Sequence, residues 1–221
     1  VLSVISGVML GFFVFSPFAL IYHEVEFSDS DLNDAEYRHV TFSEELIDSN
    51  KDATLRLESG MGKVTIEGTT EKLFEGFSSG YFNTYDVKTN HRFDRTIVKF
   101  DYEPQKIKFF GKQKKNHIKL ALNPIPVWEM KLEFGAARAE LDLSDYKISN
   151  FSMHTGASST KLRFGNRTEK INVKIEMGAA ALRIYIPHDS GCEINGEMLL
   201  ISKDFEGFEK VNKQVYRSES F

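Results

Sequence analysis

The sequence predicts an all-β protein: a single-chain β-solenoid, akin to a right-handed β-helix, preceded by one transmembrane helix. Three observations support this prediction. A strand–glycine–strand unit recurs along the chain, apolar and polar residues alternate on both sides of each glycine, and the first 22 residues carry no charged side chain.

The repeat has four copies: L-R-L-E-S-G-M-G-K-V-T-I, M-K-L-E-F-G-A-A-R-A-E-L-D-L, F-S-M-H-T-G-A-S-S-T-K-L-R-F and V-K-I-E-M-G-A-A-A-L-R-I-Y-I. Their glycines are Gly60, Gly135, Gly156 and Gly178, and the last three stand 21 and 22 residues apart. The alternation changes phase at the glycine, which predicts a structural turn there. Copies of such a unit stack as rungs about 4.8 Å apart.

One column of polar residues is less ordinary. Two residues before the glycines stand Glu58, Glu133, His154 and Glu176. If the last three copies are consecutive rungs, His154 lies between two carboxylates, which favour a charged imidazole. Glu133, His154 and Glu176 are therefore a candidate pH-sensitive column. A weak metal site and a plain solvated ladder are the alternatives, and too few ligands converge for us to predict a metal or a cofactor.

The uncharged segment 1–22 is long enough to cross a bilayer as a helix, and Tyr22 suits the interface. A cleaved signal peptide is the alternative, which the length of the apolar run disfavours. The acidic residues 23–36 predict a solvated stalk. Residues 37–221 form the predicted solenoid, in which residues 70–125 are a less regular insertion. We expect a single-pass membrane protein with an extracytoplasmic β domain.

The strongest charge concentration of the chain lies in Q-K-I-K-F-F-G-K-Q-K-K-N-H-I-K-L. This segment predicts a hairpin that turns near Gly111. It is either a solvated protrusion or a contact for an anionic partner such as lipid heads, wall polymer or an acidic protein face. The candidate contact residues are Lys106, Lys108, Lys112, Lys114, Lys115 and Lys119. The mild net charge of −4 and the predicted export disfavour a nucleic-acid partner.

Few residues indicate catalysis. Cys192 is the only cysteine, so it can form no intrachain disulfide, and it is predicted to be a small buried hydrophobe. Asp142 with Asp145 and His188 with Asp189 are the nearest approaches to catalytic pairs. Because a turn or a ladder explains both pairs, we expect no enzymatic activity.

The strings M-K-L-E-F-G-A-A-R-A-E-L-D-L, H-T-G-A-S-S-T-K-L-R-F-G and I-E-M-G-A-A-A-L-R-I-Y-I-P resemble the LiaF-type, or toast-rack, family of bacterial envelope proteins. This family includes cell-wall-active antibiotic response and adhesin-like proteins, and the match covers about residues 127–221. The resemblance implies a stacked β-solenoid on the outer side of a membrane and, for some members, a role in envelope-stress sensing. It implies no catalytic residues.

The functional prediction is a membrane-anchored extracytoplasmic binding or regulatory module of the bacterial envelope. Its expected partners are membrane lipid through the N-terminal helix and either a membrane sensor protein or wall polymer. A surface adhesin or a self-assembling structural protein is the alternative, since uncapped solenoids can stack end to end as homo-oligomers.

Overall fold

The computed structural model describes residues 2–6, 38–47, 51–80, 85–102, 116–196, 206–212 and 214–221. All fourteen regular elements within these ranges are β-strands. They are β1 (Leu2–Ser6), β2 (Arg38–Glu44), β3 (Asp52–Thr69), β4 (Phe74–Gly80), β5 (Tyr85–His91), β6 (Arg95–Tyr102), β7 (His117–Leu122), β8 (Val127–Leu143), β9 (Lys147–Phe164), β10 (Ile171–Met177), β11 (Ala180–Tyr185), β12 (Cys192–Gly196), β13 (Phe208–Lys210) and β14 (Val215–Ser218).

The repeat copies form a parallel stack. Strands β3, β8 and β9 pair in parallel over nearly their whole length, and β9 pairs with both β10 and β11. Each long strand has a first arm before its glycine and a second arm after it; β10 and β11 are the two arms of the next rung. The turn at residues 144–146 returns the chain from the end of one rung to the start of the next. The parallel stacking agrees with the predicted solenoid, while its right-handed sense stays a prediction.

The two arms enclose one hydrophobic core. In β8 the buried residues are every second one up to Phe134, and the alternation resumes one position out of phase at Ala137. Gly135 and Ala136 are both exposed between them. The phase change predicted from the sequence is therefore present, and it turns the apolar side chains of both arms inward. Trp128 is fully buried, and its indole Nε1 donates a hydrogen bond of 2.8 Å to the carbonyl of Asn123.

Residues 70–125 contain a rung that the repeat pattern does not reveal. β6 pairs in parallel with the first arm of β3, and β7 pairs in parallel with its second arm. Residues 103–115, between the two strands of this rung, lie outside the described ranges. The described residue before them, Tyr102, contacts Gly60, and the one after them, Asn116, contacts Gly62. Tyr102 and Asn116 thus both lie beside the corner glycines of β3.

Antiparallel strands lie at both ends of the stack. At one end, β5 pairs with β6, β4 pairs with β7, and β2 pairs with β4. At the other, β12 pairs with β14, which pairs with β13. The C-terminal residues thus lie against the last rungs, as expected for a tail that covers a solenoid end.

The predicted membrane anchor falls mostly outside the described residues. Of residues 1–22, the structure describes only Leu2–Ser6, which form a strand between β10 and β12 and not the first turn of a helix. Residues 7–22 and the predicted stalk, 23–36, lie outside the described ranges. Among the described residues, no helix has the length and apolar character needed to cross a membrane.

Candidate functional site

Four polar residues of the repeat form a continuous column on the outer surface of the first arms. In the strand register, Glu58 lies beside Glu133, Glu133 beside His154, and His154 beside Glu176. The imidazole Nδ1 of His154 lies 3.3 Å from Oε2 of Glu176. The structure therefore brings together the residues Glu133, His154 and Glu176 that the sequence proposed as a column. Their sensitivity to pH stays a prediction.

Cations form a second column beside the acidic one. Lys99, Arg56 and Lys131 are register neighbours, Ser152 follows Lys131, and Lys174 follows Ser152. Cation and anion pair along the strand in the outer rungs: Lys99 Nζ lies 2.5 Å from Asp101 Oδ1, and Lys174 Nζ lies 2.7 Å from Glu176 Oε1. We call this surface the charged ladder.

Hydrogen bonds from neighbouring lysines lower the pKa values of two carboxylates on the first arms. A hydrogen bond from Lys174, helped by one from His154, lowers the pKa of Glu176 below its ordinary value. A hydrogen bond from Lys131 lowers the pKa of Glu129, which Arg95 also contacts at 3.2 Å. Glu176 and Glu129 are therefore ionised at neutral pH and hold neighbouring cations in place.

The rung of β9 departs from this pattern. Where the neighbouring rungs carry a cation and a carboxylate, β9 carries Ser152 and His154. The His154 side chain is 58% exposed, so solvent reaches the ring. The two ladder positions of this rung are uncharged while the imidazole is neutral, and protonation would place one positive charge between Glu133 and Glu176. A shallow groove lies farther along the ladder, lined by Arg56, Leu57, Glu58, Lys99, Lys131 and Glu133.

The corner glycines are required by the close approach of successive rungs. A Cβ atom built on Gly135 would lie 2.8 Å from the carbonyl oxygen of Gly60, and one on Gly156 would lie 2.9 Å from that of Gly135. A Cβ atom built on Gly178 would lie 3.0 Å from the carbonyl oxygen of Gly156. The glycines with positive φ among the described residues are Gly62, Gly68, Gly80 and Gly207. The predicted turn glycines thus serve close backbone contact and not a left-handed conformation.

Most of the predicted lysine hairpin lies outside the described residues. This applies to Lys106, Lys108, Lys112, Lys114 and Lys115. Lys119 lies in β7, which pairs with β3 and β4, and its Nζ atom lies 2.7 Å from Oε1 of Glu67. For Lys119 the hairpin prediction was wrong, because its strand is a second arm of the stack. The anionic-partner role of all six lysines stays a prediction.

The residues that most resembled catalytic candidates have structural contacts. Asp142 accepts hydrogen bonds from the backbone N of Ser144 at 3.2 Å and from its hydroxyl at 2.6 Å, the geometry of a turn. Cys192 is buried, and burial raises the pKa of its thiol to about 11. Within the described residues, no group of three or more His, Cys, Asp or Glu side chains could hold a metal ion.

The second arms carry a basic surface that was not predicted from the sequence. Arg138, Lys161, Arg163 and Arg183 are exposed there, and Lys161 and Arg163 both approach the ring of Tyr185. The signal was available, because Lys161 and Arg183 stand five residues after their glycines, while Arg163 and Tyr185 stand seven residues after them. Only the strand register shows that they share one face with few carboxylates.

Comparison with known proteins agrees with the stacked architecture. The family model described as the N-terminal domain of toast_rack (DUF2154) matches residues 31–185. No curated protein matches the chain. Among solved structures, "a putative cell adhesion protein from Clostridium sporogenes" is 16% identical with a TM-score of 0.55, covering 69% of this chain and 100% of that one.

A second structure, "a putative adhesin from Bacteroides fragilis", is 8% identical, with a TM-score of 0.25; the match covers 67% of this chain and 97% of that one. The Clostridium structure supports the fold alone. The family match includes the stacked strands from β2 to β11 and more than half of the chain. The chain therefore belongs to the toast-rack family, as the resemblance of its glycine-centred repeats had indicated.

Proposed function

We propose that this protein is a non-enzymatic binding or regulatory module of the bacterial envelope, with its β domain on the extracytoplasmic side. The observation that carries the proposal is the parallel stack itself. It presents two broad outer faces whose charged residues recur at rung spacing, and antiparallel strands lie at both of its ends. Such a rigid platform suits a large partner better than a small substrate. Membership of the toast-rack family supports an envelope location.

The proposal includes a membrane anchor in residues 1–22. However, Leu2–Ser6 of this segment form a strand of the stack. As β1 they hydrogen-bond to both β10 and β12. If they stay in the stack, only residues 7–22 remain for a helix of about 24 Å, which is shorter than the roughly 30 Å hydrocarbon core. Insertion of the whole segment would instead leave β10 and β12 without this strand. The two arrangements exclude one another.

In-cell photocrosslinking of the full-length protein tests the regulatory role. Crosslinkers placed on the charged ladder, at Ser152 and Arg56, are compared with one at Asn90 on the outermost strand, β5. We expect a discrete membrane or wall partner from the ladder positions. Recovery of the same products from all three positions would contradict a specific partner face. Carbonate extraction of the same cells tests the anchor, since a peripheral protein is released and an integral one is retained.

The lysines of residues 103–115 are a proposed second contact. Replacing Lys112, Lys114 and Lys115 with glutamate should abolish capture of an anionic partner, because attraction becomes repulsion. The matched control replaces Lys147, Lys170 and Lys210, which lie elsewhere in the chain, with the same change of net charge. Equal loss in both variants would show that only the net charge matters.

A surface adhesin or self-assembling protein is the second candidate. The cell-adhesion description of the Clostridium structure favours it. The antiparallel strands at both ends of the stack disfavour end-to-end assembly, because the terminal rungs are already paired with β5, β4 and β14. Light scattering of the detergent-solubilised full-length chain decides this: concentration-dependent growth supports assembly, and a constant monomer mass contradicts it. Envelope-stress sensing would require signal-dependent exchange of the crosslinked partner.

A further inference from the structure

The outer surface of the second arms differs from the charged ladder. In the register, Arg138 lies beside Ser159, Lys161 beside Arg183, and Arg163 beside Tyr185. The outward positions of the last two rungs on this face are Ser159, Lys161, Arg163, Ala181, Arg183 and Tyr185, and all of them are exposed. Every charged residue among them is positive, although the chain as a whole has a net charge of −4. We call these two rungs together with Arg138 the basic face.

The carboxylates nearest to the basic face already have partners within the protein. Glu140 lies 2.6 Å from Lys63 Nζ on the previous rung, and this hydrogen bond lowers the pKa of Glu140. Asp142 accepts two hydrogen bonds from Ser144 and lies 3.5 Å from Arg163 Nε. Within the described part of the chain, neither Lys161 nor Arg183 forms an ion pair. The two cations therefore retain charge that an external anion could neutralise.

Tyr185 adds an exposed aromatic ring to the cations of the basic face. Its side chain is 40% exposed. Lys161 Nζ lies 5.4 Å and Arg163 Cζ lies 5.1 Å from the centre of its ring. These cation–π contacts hold both side chains across the strand surface, where they present their donors to solvent. An exposed aromatic ring beside ordered cations offers an apolar surface for a sugar ring and charged donors for its anionic substituents.

The spacing of the donors favours a linear ligand. Neighbouring rungs are about 4.8 Å apart, and successive outward residues on one strand are about 6.8 Å apart. A basic face of this kind meets several anions in a row and offers no deep pocket for a single small molecule. Arginine also binds the oxygens of phosphate and carboxylate in a bidentate manner.

We propose that the basic face binds a linear anionic carbohydrate polymer, with Arg138, Lys161 and Arg183 contacting its phosphate or carboxylate groups and Tyr185 contacting a sugar ring. This proposal rests on the proposed extracytoplasmic location for its biological meaning. The binding itself is measured on purified protein, so its failure would leave the location test by cell fractionation unaffected.

The test uses the full-length chain in non-ionic detergent, with affinity measured at low and physiological salt. The probes are poly(glycerol phosphate), polygalacturonate, neutral dextran and single-stranded DNA of matched charge. We expect poly(glycerol phosphate) and polygalacturonate to bind and dextran not to bind. The ratio of the affinities for the two anionic polymers identifies whether phosphate or carboxylate is the preferred anion. DNA binding as tight as that of the preferred polymer would overturn the carbohydrate assignment, since the site would then recognise charge alone.

Two variants carry the residue-level test. The double variant K161Q/R183Q should weaken binding of the preferred polymer about tenfold, and Y185A should weaken it about threefold with little change in salt dependence. The matched control R92Q/K170Q removes the same charge from two exposed positions outside the strands and outside both charged faces, and it should change affinity less than twofold. Thermal unfolding confirms that each variant is folded. Equal losses in both double variants, or no loss in K161Q/R183Q, would overturn the proposal.

Discussion

His154 Nδ1 lies 3.3 Å from Glu176 Oε2, across a register that joins strands 22 residues apart in the chain. Glu176 is shared, because its other oxygen lies 2.7 Å from Lys174 Nζ. The imidazole thus belongs to a network in which one carboxylate links two rungs. Exposed pairs of this kind contribute little individually, roughly 0.2–1 kcal/mol. Their regular placement in neighbouring rungs matters more for register than for stability.

Three carboxylates that accept hydrogen bonds from lysines predict that stability falls in acid. Glu129, Glu140 and Glu176 have a lowered pKa in the folded protein, each chiefly because of a lysine hydrogen bond. Their contribution is therefore fully present above the ordinary glutamate value of about 4.3 and is lost as pH falls through the lower folded values. Urea unfolding between pH 7 and pH 3 checks this. In the variant E129Q/E140Q/E176Q the decrease should be smaller, and an unchanged decrease would contradict the assignment.

His154 provides a separate test of the column. Replacing it with glutamate would place four carboxylates side by side, because Glu58 continues the column beyond Glu133, and we expect a loss of about 0.5 kcal/mol at neutral pH that salt reduces. His154→Gln, which keeps polarity without charge, is the control. If the column responds to pH, the stability difference between the wild type and H154Q changes between pH 8 and pH 5. A constant difference would leave the column a plain polar ladder.

Gly135→Ala should destabilise the protein by about 1–3 kcal/mol. The new Cβ would lie 2.8 Å from the backbone oxygen of Gly60, which has no freedom to move aside because it belongs to the neighbouring rung. Denaturant unfolding measures the loss. The adjacent Ala136→Ser is the control, since this side chain is exposed and should change stability by less than about 0.5 kcal/mol. Equal effects of both substitutions would argue against the close-contact explanation.

Asn123→Ala should cost about 2–3 kcal/mol. The buried side-chain amide of Asn123 donates to the carbonyls of Thr70, Glu71 and Lys72 at 3.1, 2.9 and 2.9 Å, and its oxygen accepts from Ile125 N at 2.9 Å. Its removal leaves these backbone groups without their partner. The exposed Asn150→Ala serves as the control and should be nearly neutral. A small loss for Asn123→Ala would mean that water replaces the amide.

Two tyrosines should resist ionisation in strong base. Burial raises the pKa of Tyr85 and of Tyr146 to about 12. Tyr146 donates to the carbonyl of Gly68, and the Tyr85 hydroxyl lies 3.0 Å from Ser59 Oγ. Ultraviolet titration near pH 11 should therefore show fewer phenolates in the folded protein than in urea. The variant Y85F/Y146F should remove most of this difference, and its persistence would point to other tyrosines.

The architecture was largely predictable because the repeat is local information. Alternation around Gly135, Gly156 and Gly178 identifies the strands, their bend and their inward side, since each depends on side chains a few residues apart. Consecutive copies follow one another in the stack, so the neighbours of His154 followed from counting. The rung of β6 and β7 escaped this reasoning because residues 95–122 carry no copy of the glycine-centred repeat, so only the pairing of both strands with β3 reveals it.

What the sequence alone determined is the β class, the rung unit, the polar column and the toast-rack resemblance, because these depend on periodic side chains and short separations. The tertiary structure decided which distant segments became neighbours. It placed β3 between the β6–β7 rung and β8, enclosed the ends with antiparallel strands and put Leu2–Ser6 between β10 and β12. It also brought Lys161, Arg183 and Tyr185 onto one face. Hydrogen-bonded pairing between strands sets these relationships, and it depends on the whole core being packed at once.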